Sequence, residues 1–208
     1  AESLGTFYKF NKFKKKYTGT IGDFGIISFN GNKIVTCGNG GVLLTQNKKY
    51  YKQAIHLVNQ AKNDNMRFIH DKVGYNYKLS NISAAVGLSQ LEKLNIFIKK
   101  KKIIRNLYKN KIKKIKNLDM FESPNYSDNN NWLNLVKVDE KKSKKKAIDL
   151  IKKINQLNFQ LRPVWYPNHL QKPFKKCQRY KINNSIKLFK SCICPVSYTH
   201  LRAHETRG

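Results

Sequence analysis

Residues 81 to 115 carry two apolar stripes at helical spacing, and the stripes do not share a face. Leu88, Leu91, Leu94 and Ile98 make the first; Ile104, Tyr108, Ile112 and Ile115 make the second. One long helix, or two abutting ones, with this pattern packs first on one body and then on another. The stretch therefore demands a domain boundary near residues 95 to 105. The chain has 208 residues, enough for two small domains, which we place at 1–98 and 99–195.

The shorter elements suit that division. GIISF at 25–29 and VLLT at 42–45 read as strands. Residues 48–63 read as a helix broken by NDN at 63–65, and Ser80 is placed to cap the helix that opens NISAAVGL. In the second domain, WLNLVKV at 132–138 reads as a strand after the polar loop SPNYSDNNN. KKSKKKAIDLIKKINQL is amphipathic, with Ala147, Leu150, Ile151, Ile154 and Leu157 on its apolar side. FQLRPVWY at 159–166 reads as a returning strand, stopped by Pro163 and Pro167. Strand, helix, strand predicts a small sheet covered by helices, and the fold class is α/β. After ICP at 193–195 the composition changes, with two His, two Arg and no Lys in 13 residues. That stretch resembles a translated sequencing-library adapter, so residues 196–208 are treated as a non-native tail. His200 and His204, though at metal-ligand spacing, receive no function.

The chain holds 42 basic and 12 acidic residues, for a formal net charge of +30. Such a balance first suggests nucleic acid. Arg, the forked reader of phosphates and bases, supplies only six of the 42. The rest is Lys, accompanied by abundant Asn, Ile and Tyr, the mixture an AT-rich coding sequence yields. We expect no specific nucleic-acid partner; a basic nucleic-acid-binding protein is the alternative of another class. No run of 18 apolar residues suggests a membrane helix, and no signal-peptide pattern is present. The expected location is the cytoplasm. Cys37, Cys177, Cys192 and Cys194 are then reduced thiols, and the Cys192-x-Cys194 pair lacks the second half of a zinc site, so no metal is expected. The opening AESLGTFYKF has no initiator Met and reads as mid-domain sequence.

SFNGNKIVTCGNGG, residues 28–41, concentrates the chemistry. Most lysines here stand in runs; Lys33 stands alone among glycines, asparagines and a threonine. Glycine-rich turns expose backbone N–H groups that suit a phosphate. Ser28 adds a hydroxyl donor. Lys33 can pair with phosphate as a point charge, or bond covalently to a carbonyl carbon. The Gly-Lys-Ser/Thr ending of a nucleotide-binding P-loop is absent. Taken alone, these residues point to a phosphate or carbonyl ligand near Lys33.

That loop is followed by QAKNDNMRFIHDKVGYNYKLSNISAAVGLSQLEKL and later by RPVWYPNHLQKPFKKCQRY. In this order the segments resemble the DegT/StrS family of sugar aminotransferases, fold-type I enzymes that use pyridoxal 5′-phosphate. AESLGT resembles the residues that follow the aspartate of the family's D-A-A-E-S-L-G element. The resemblance covers residues 1–195. It implies the end of the large sheet domain plus a smaller α/β C-terminal domain, with the rest of the cofactor site upstream of Ala1. The chain expressed alone is then expected to be inactive.

The resemblance also implies roles. Lys33 matches the lysine that holds the cofactor covalently and, once released, moves a proton between donor and cofactor. Ser28 matches a hydroxyl that donates to the cofactor phosphate. Asn76, in GYNYK, matches an asparagine that reaches the phosphate of a partner subunit, implying a homodimer with shared sites. Glu2 would stand three residues after the aspartate that pairs with the pyridine nitrogen. Lys78, where the family often has Arg, and His70 and His169 are candidate substrate contacts; Trp165 and Tyr166 read as packing residues. The implied reaction moves an amino group from glutamate to C4 of a nucleotide-linked 4-keto-6-deoxy sugar, UDP-linked first and the GDP-perosamine type next, for bacterial surface polysaccharide or nonulosonic acid. Relatives that use pyridoxamine phosphate for dehydration carry histidine at the lysine position, so Lys33 argues against that alternative.

Overall fold

The computed structural model describes residues 1–64, 66–139 and 146–195. In chain order the elements are β1 (Phe7–Tyr8), β2 (Gly25–Ser28), β3 (Gly41–Leu44), α1 (Lys48–Val58), β4 (Lys62–Asp64), β5 (Ile69–His70), α2 (Asn81–Glu92) and α3 (Leu94–Ile112). They continue with β6 (Leu118–Met120), β7 (Ser127–Asp128), β8 (Val136–Val138), α4 (Ala147–Gln156), β9 (Leu161–Pro163), α5 (Asn183–Ser191) and β10 (Cys192–Pro195). The chain divides inside α3. One unit holds Ala1–Lys99 with Pro124–Asn130; the other holds Lys100–Ser123 and the residues from Asn131 on.

In the first unit β2 and β3 form an antiparallel hairpin, with Ile26 opposite Leu43 and Ser28 opposite Gly41. Gly41 is required there, because a Cβ would lie 2.4 Å from the Ile27 carbonyl oxygen. The loop between the strands has its own small core. Phe29 and Val35 are buried, and Phe29 bonds through its backbone to Gly40 (3.0 Å) and Cys37 (3.1 Å). Asn47 caps α1, its Oδ1 accepting from the Lys49 and Tyr50 amides. The helix stops at Val58, five residues short of expectation. Gln60 and Ala61 take left-handed φ values of 67° and 51°, which terminate a helix. Ser80 caps α2 as expected, accepting from the Ser83 amide at 3.2 Å. The packing face of α2 differs from the expected stripe. Leu88 is 61% exposed, and the buried residue of α2 is Gly87, whose missing side chain admits Cys37. Lys93 then breaks the run, so Leu94 and Ile98 belong to α3.

The second unit is built on a four-stranded antiparallel sheet in the order β6-β8-β10-β9. Val136, Val138, Ala147, Ile151 and Ile193 form its core, with Ile112, Leu118, Met120, Leu150 and Leu161 packed around them. The apolar side of α4 is as read, except that Leu157 is exposed. Two strands are shorter than expected. Residues 132–135 stay outside β8, following a left-handed Asn131 (φ 53°). β9 spans three residues and includes Pro163, paired with Ile193, rather than ending before it. A proline fits there because β9 lies at the sheet edge, where no partner needs its amide. The central strand β10 lies at the end of the described chain and was not anticipated. Residues 141–145 of the lysine run and the tail from 196 lie outside the described residues. Trp165 leans on Trp132 (6.1 Å between centroids) and Tyr166 meets Phe189 edge-on.

One lysine of this unit faces inward. The inner face of α3 beyond the division is Lys101, Ile104, Tyr108 and Ile112, at spacings of three and four. Lys101 is 4% exposed, and its Nζ donates to the Trp132 carbonyl at 3.2 Å. Loss of solvation holds its ammonium down at a pKa of about 8. Burial likewise pushes the Cys194 thiol and the Tyr108 hydroxyl up from their ordinary values.

Candidate active site

The β2–β3 loop folds back over its own strand end and receives the start of the chain. The Ser28 amide donates to the Ala1 carbonyl at 3.3 Å, which lays Ala1 and Glu2 alongside. Asn130, buried, holds that segment by donating from Nδ2 to the Glu2 and Leu4 carbonyls, each at 3.0 Å. The result brings a carboxylate to the solitary lysine. Lys33 Nζ lies 2.9 Å from Glu2 Oε1, and the lysine side chain is 13% exposed. Ser28 Oγ accepts from the Asn30 amide at 3.3 Å, leaving its proton to donate. Gly38 and Gly40 turn the loop with φ values of 89° and 78°. At Gly40 a Cβ would sit 2.7 Å from Leu79 Cδ1, so the turn packs directly on the residue after Lys78.

Ser28, Lys33 and Glu2 are thus gathered at one loop. Asn76 and Lys78 lie exposed on the segment before α2, which reaches that loop through Leu79. Asn76 forms an isolated antiparallel bridge with Asn59 at the end of α1. His70 donates from Nδ1 to the Gln60 carbonyl at 2.7 Å, a structural use of that nitrogen. His169 belongs to the second unit, in a short turn at Asn168–Leu170; its Nε2 is buried and has no hydrogen-bond partner among the described residues. Glu2 is the contact that sequence reading missed. The D-A-A-E-S-L-G likeness gave its place in a motif, while its approach to Lys33 crosses 31 positions and needs the hairpin to close. Among the described residues no three His, Cys, Asp or Glu side chains cluster as metal ligands.

These residues match the chemistry of an aldehyde-bearing phosphate ester. A half-sheltered amine can bond to the aldehyde carbon, and a strand-end hydroxyl beside left-handed glycines offers donors to a phosphate. The chain belongs to the DegT/DnrJ/EryC1/StrS aminotransferase family, whose model matches residues 1–207. Enzymes of this family use pyridoxal 5′-phosphate. The chain is 34% identical over 209 residues to EpsN of Bacillus subtilis (strain 168), described as a pyridoxal phosphate-dependent aminotransferase, with 99% of this chain and 52% of EpsN covered. It is 33% identical to the GDP-perosamine synthase of Escherichia coli O157:H7, over 88% of this chain and 48% of that one. The crystal structure of Helicobacter pylori PseC, an aminotransferase involved in the biosynthesis of pseudoaminic acid, superposes with a TM-score of 0.83 over 97% of this chain and 54% of PseC, at 17% identity; it shows the shared fold. The chain spans about half the length of the curated relatives it matches.

Proposed function

We propose that the whole protein transfers an amino group from glutamate to C4 of a nucleotide-linked 4-keto-6-deoxy sugar, in the cytoplasm and in the service of surface polysaccharide. The observation that carries this reading is the sheltered amine of Lys33 in a glycine loop with Glu2 and Ser28 beside it. Bound pyridoxal phosphate supplies an aldehyde that stores the amino group and a ring that draws electrons from the donor's α-carbon. Lys33 anchors that aldehyde at rest, and when displaced its amine takes the proton from the donor's α-carbon. In the second half the same amine returns a proton to the carbon that bears the sugar's new nitrogen. Glu2 receives the displaced ammonium in a hydrogen bond and keeps it within reach. Ser28 and the amides around Gly38 and Gly40 orient the phosphate. Asn76 serves the phosphate of a second copy of the chain, so that the working unit is a homodimer.

Lys78, His70 and His169 are assigned to the substrate. His169 has the clearest support, since a buried, unpartnered Nε2 stands ready for a ligand hydroxyl. The likeness to a GDP-perosamine synthase supports a GDP-linked keto sugar as the next candidate after the UDP-linked one. The test is turnover by the purified, cofactor-loaded whole protein with glutamate and each keto sugar. One of them yields 2-oxoglutarate and a 4-amino sugar in equal amounts, read by mass spectrometry. Cofactor binding with no 4-amino sugar formed from any of these keto sugars contradicts the reading.

A further inference from the structure

The segment that carries Asn76 has no regular structure of its own, yet its backbone is pinned to the end of α1. The Tyr75 amide donates to the Leu57 carbonyl at 2.9 Å and the Tyr77 amide to the Val58 carbonyl at 3.1 Å. The Gln60 amide returns a bond to the Tyr75 carbonyl at 3.2 Å, and the Asp71 amide reaches the Ala61 carbonyl at 3.3 Å. Gly74 lies flat on this frame; a Cβ there would stand 2.5 Å from both the Gln60 carbonyl carbon and the Ala61 nitrogen. The side chains of Val73, Tyr75 and Tyr77 are exposed, so the segment has few buried apolar contacts to hold it.

One charged contact ties the start of the segment to the helix. His56, in the last turn of α1, places Nε2 2.5 Å from Asp71 Oδ1. It is the one ion pair that residues 69–78 make among the described residues. The Asp71 carboxyl is held below its ordinary value, first by this hydrogen bond, which outweighs a desolvation cost, and then by the His56 and Lys72 charges and a backbone hydrogen bond. Such a pair contributes little to global stability when half exposed. Its reach is local, at the head of residues 71–77 where they lie against α1.

We propose that His56 and Asp71 are positioning residues, a clamp that fixes where Asn76 stands and thereby sets the affinity for the cofactor's phosphate. The proposal rests on the assignment of Asn76 to that phosphate made above. Neither side chain takes part in the chemistry; they act through the backbone of residues 75–77.

The experiment measures dissociation constants of the whole protein for pyridoxal phosphate and for pyridoxal, which lacks the phosphate. Asp71→Asn weakens pyridoxal phosphate by about three- to fivefold and leaves pyridoxal unchanged. Asn76→Ala does the same, and in the Asn76→Ala background Asp71→Asn adds no further loss. Asp71→Glu recovers most of the affinity. Amide exchange at Tyr75 and Tyr77 quickens in Asp71→Asn while that of the β2–β3 hairpin does not. If Asn76→Ala behaves as stated but Asp71→Asn weakens both ligands alike, or neither, the clamp is wrong and the role of Asn76 stands. If Asn76→Ala leaves pyridoxal phosphate affinity unchanged, the phosphate assignment falls and takes the clamp with it.

Discussion

Lys33→Ala abolishes turnover, lowering the glutamate half-reaction by about 10⁴-fold or more, while the phosphate ester still binds. The size follows from the two tasks given to one nitrogen. It anchors the aldehyde, and it carries a proton at the donor's α-carbon; a methyl group does neither, and removing a nucleophile that is also a base costs orders of magnitude. The phosphate contacts we propose lie elsewhere, on Ser28 and the glycine turn, so binding is expected to survive. The check is 2-oxoglutarate release in a single turnover. Added methylamine restores part of the rate in Lys33→Ala, because a small free amine can carry the proton. A Lys33→Ala enzyme with near-normal turnover leaves the site without a mechanism.

Lys101→Met removes a pH dependence of stability worth on the order of 3 kcal/mol, so its stability relative to wild type is greatest at neutral pH and falls in alkali. In the unfolded chain this lysine titrates at the ordinary value of 10.5; folded, burial holds it down at about 8. Each pH unit of difference is worth about 1.4 kcal/mol. Below pH 8 both states carry the proton, and the fold bears the desolvation of that charge. Between about 8 and 10.5 the unfolded state holds a proton that the folded state has released, so stability rises with pH. Above that window the cost is gone. The raised thiols of Cys192 and Cys194 work in the opposite direction as they near their own titration, so the informative quantity is the difference between wild type and Lys101→Met. Urea unfolding from pH 7 to 10.5 shows that difference falling by about 3 kcal/mol. A difference that stays flat with pH means the buried lysine is not the cause.

Lys101 also shows where the sequence was misleading. It stands in a run of four lysines, 99 to 102, and a lysine run reads as a solvated face. Extending the stripe of Ile104, Tyr108 and Ile112 back by three residues lands on it, so periodicity held the signal and residue type masked it. The other stripe misled in reverse. Leu88 and Leu91 looked like a core face, but α2 packs through Gly87, where the absence of a side chain lets Cys37 approach. Apolar spacing does not register a contact made by a missing side chain. The β2–β3 loop stood out in the sequence, because a lone lysine among glycines departs from the composition around it. Its neighbour Glu2 did not, since the pairing depends on a hairpin closing and on Asn130 gripping the start of the chain. Short strands such as β9 and β10 were missed or mis-bounded because three or four residues carry too little alternation to mark their ends.

The central claim is that the Lys33 amine is the covalent attachment point for pyridoxal phosphate. Borohydride reduction of the loaded whole protein, followed by proteolysis and mass spectrometry, tests it directly. The account predicts the yellow absorbance near 420 nm to bleach and one peptide, the one containing Lys33, to carry the reduced cofactor. A cofactor found on another lysine, or recovered entirely free after reduction, contradicts it.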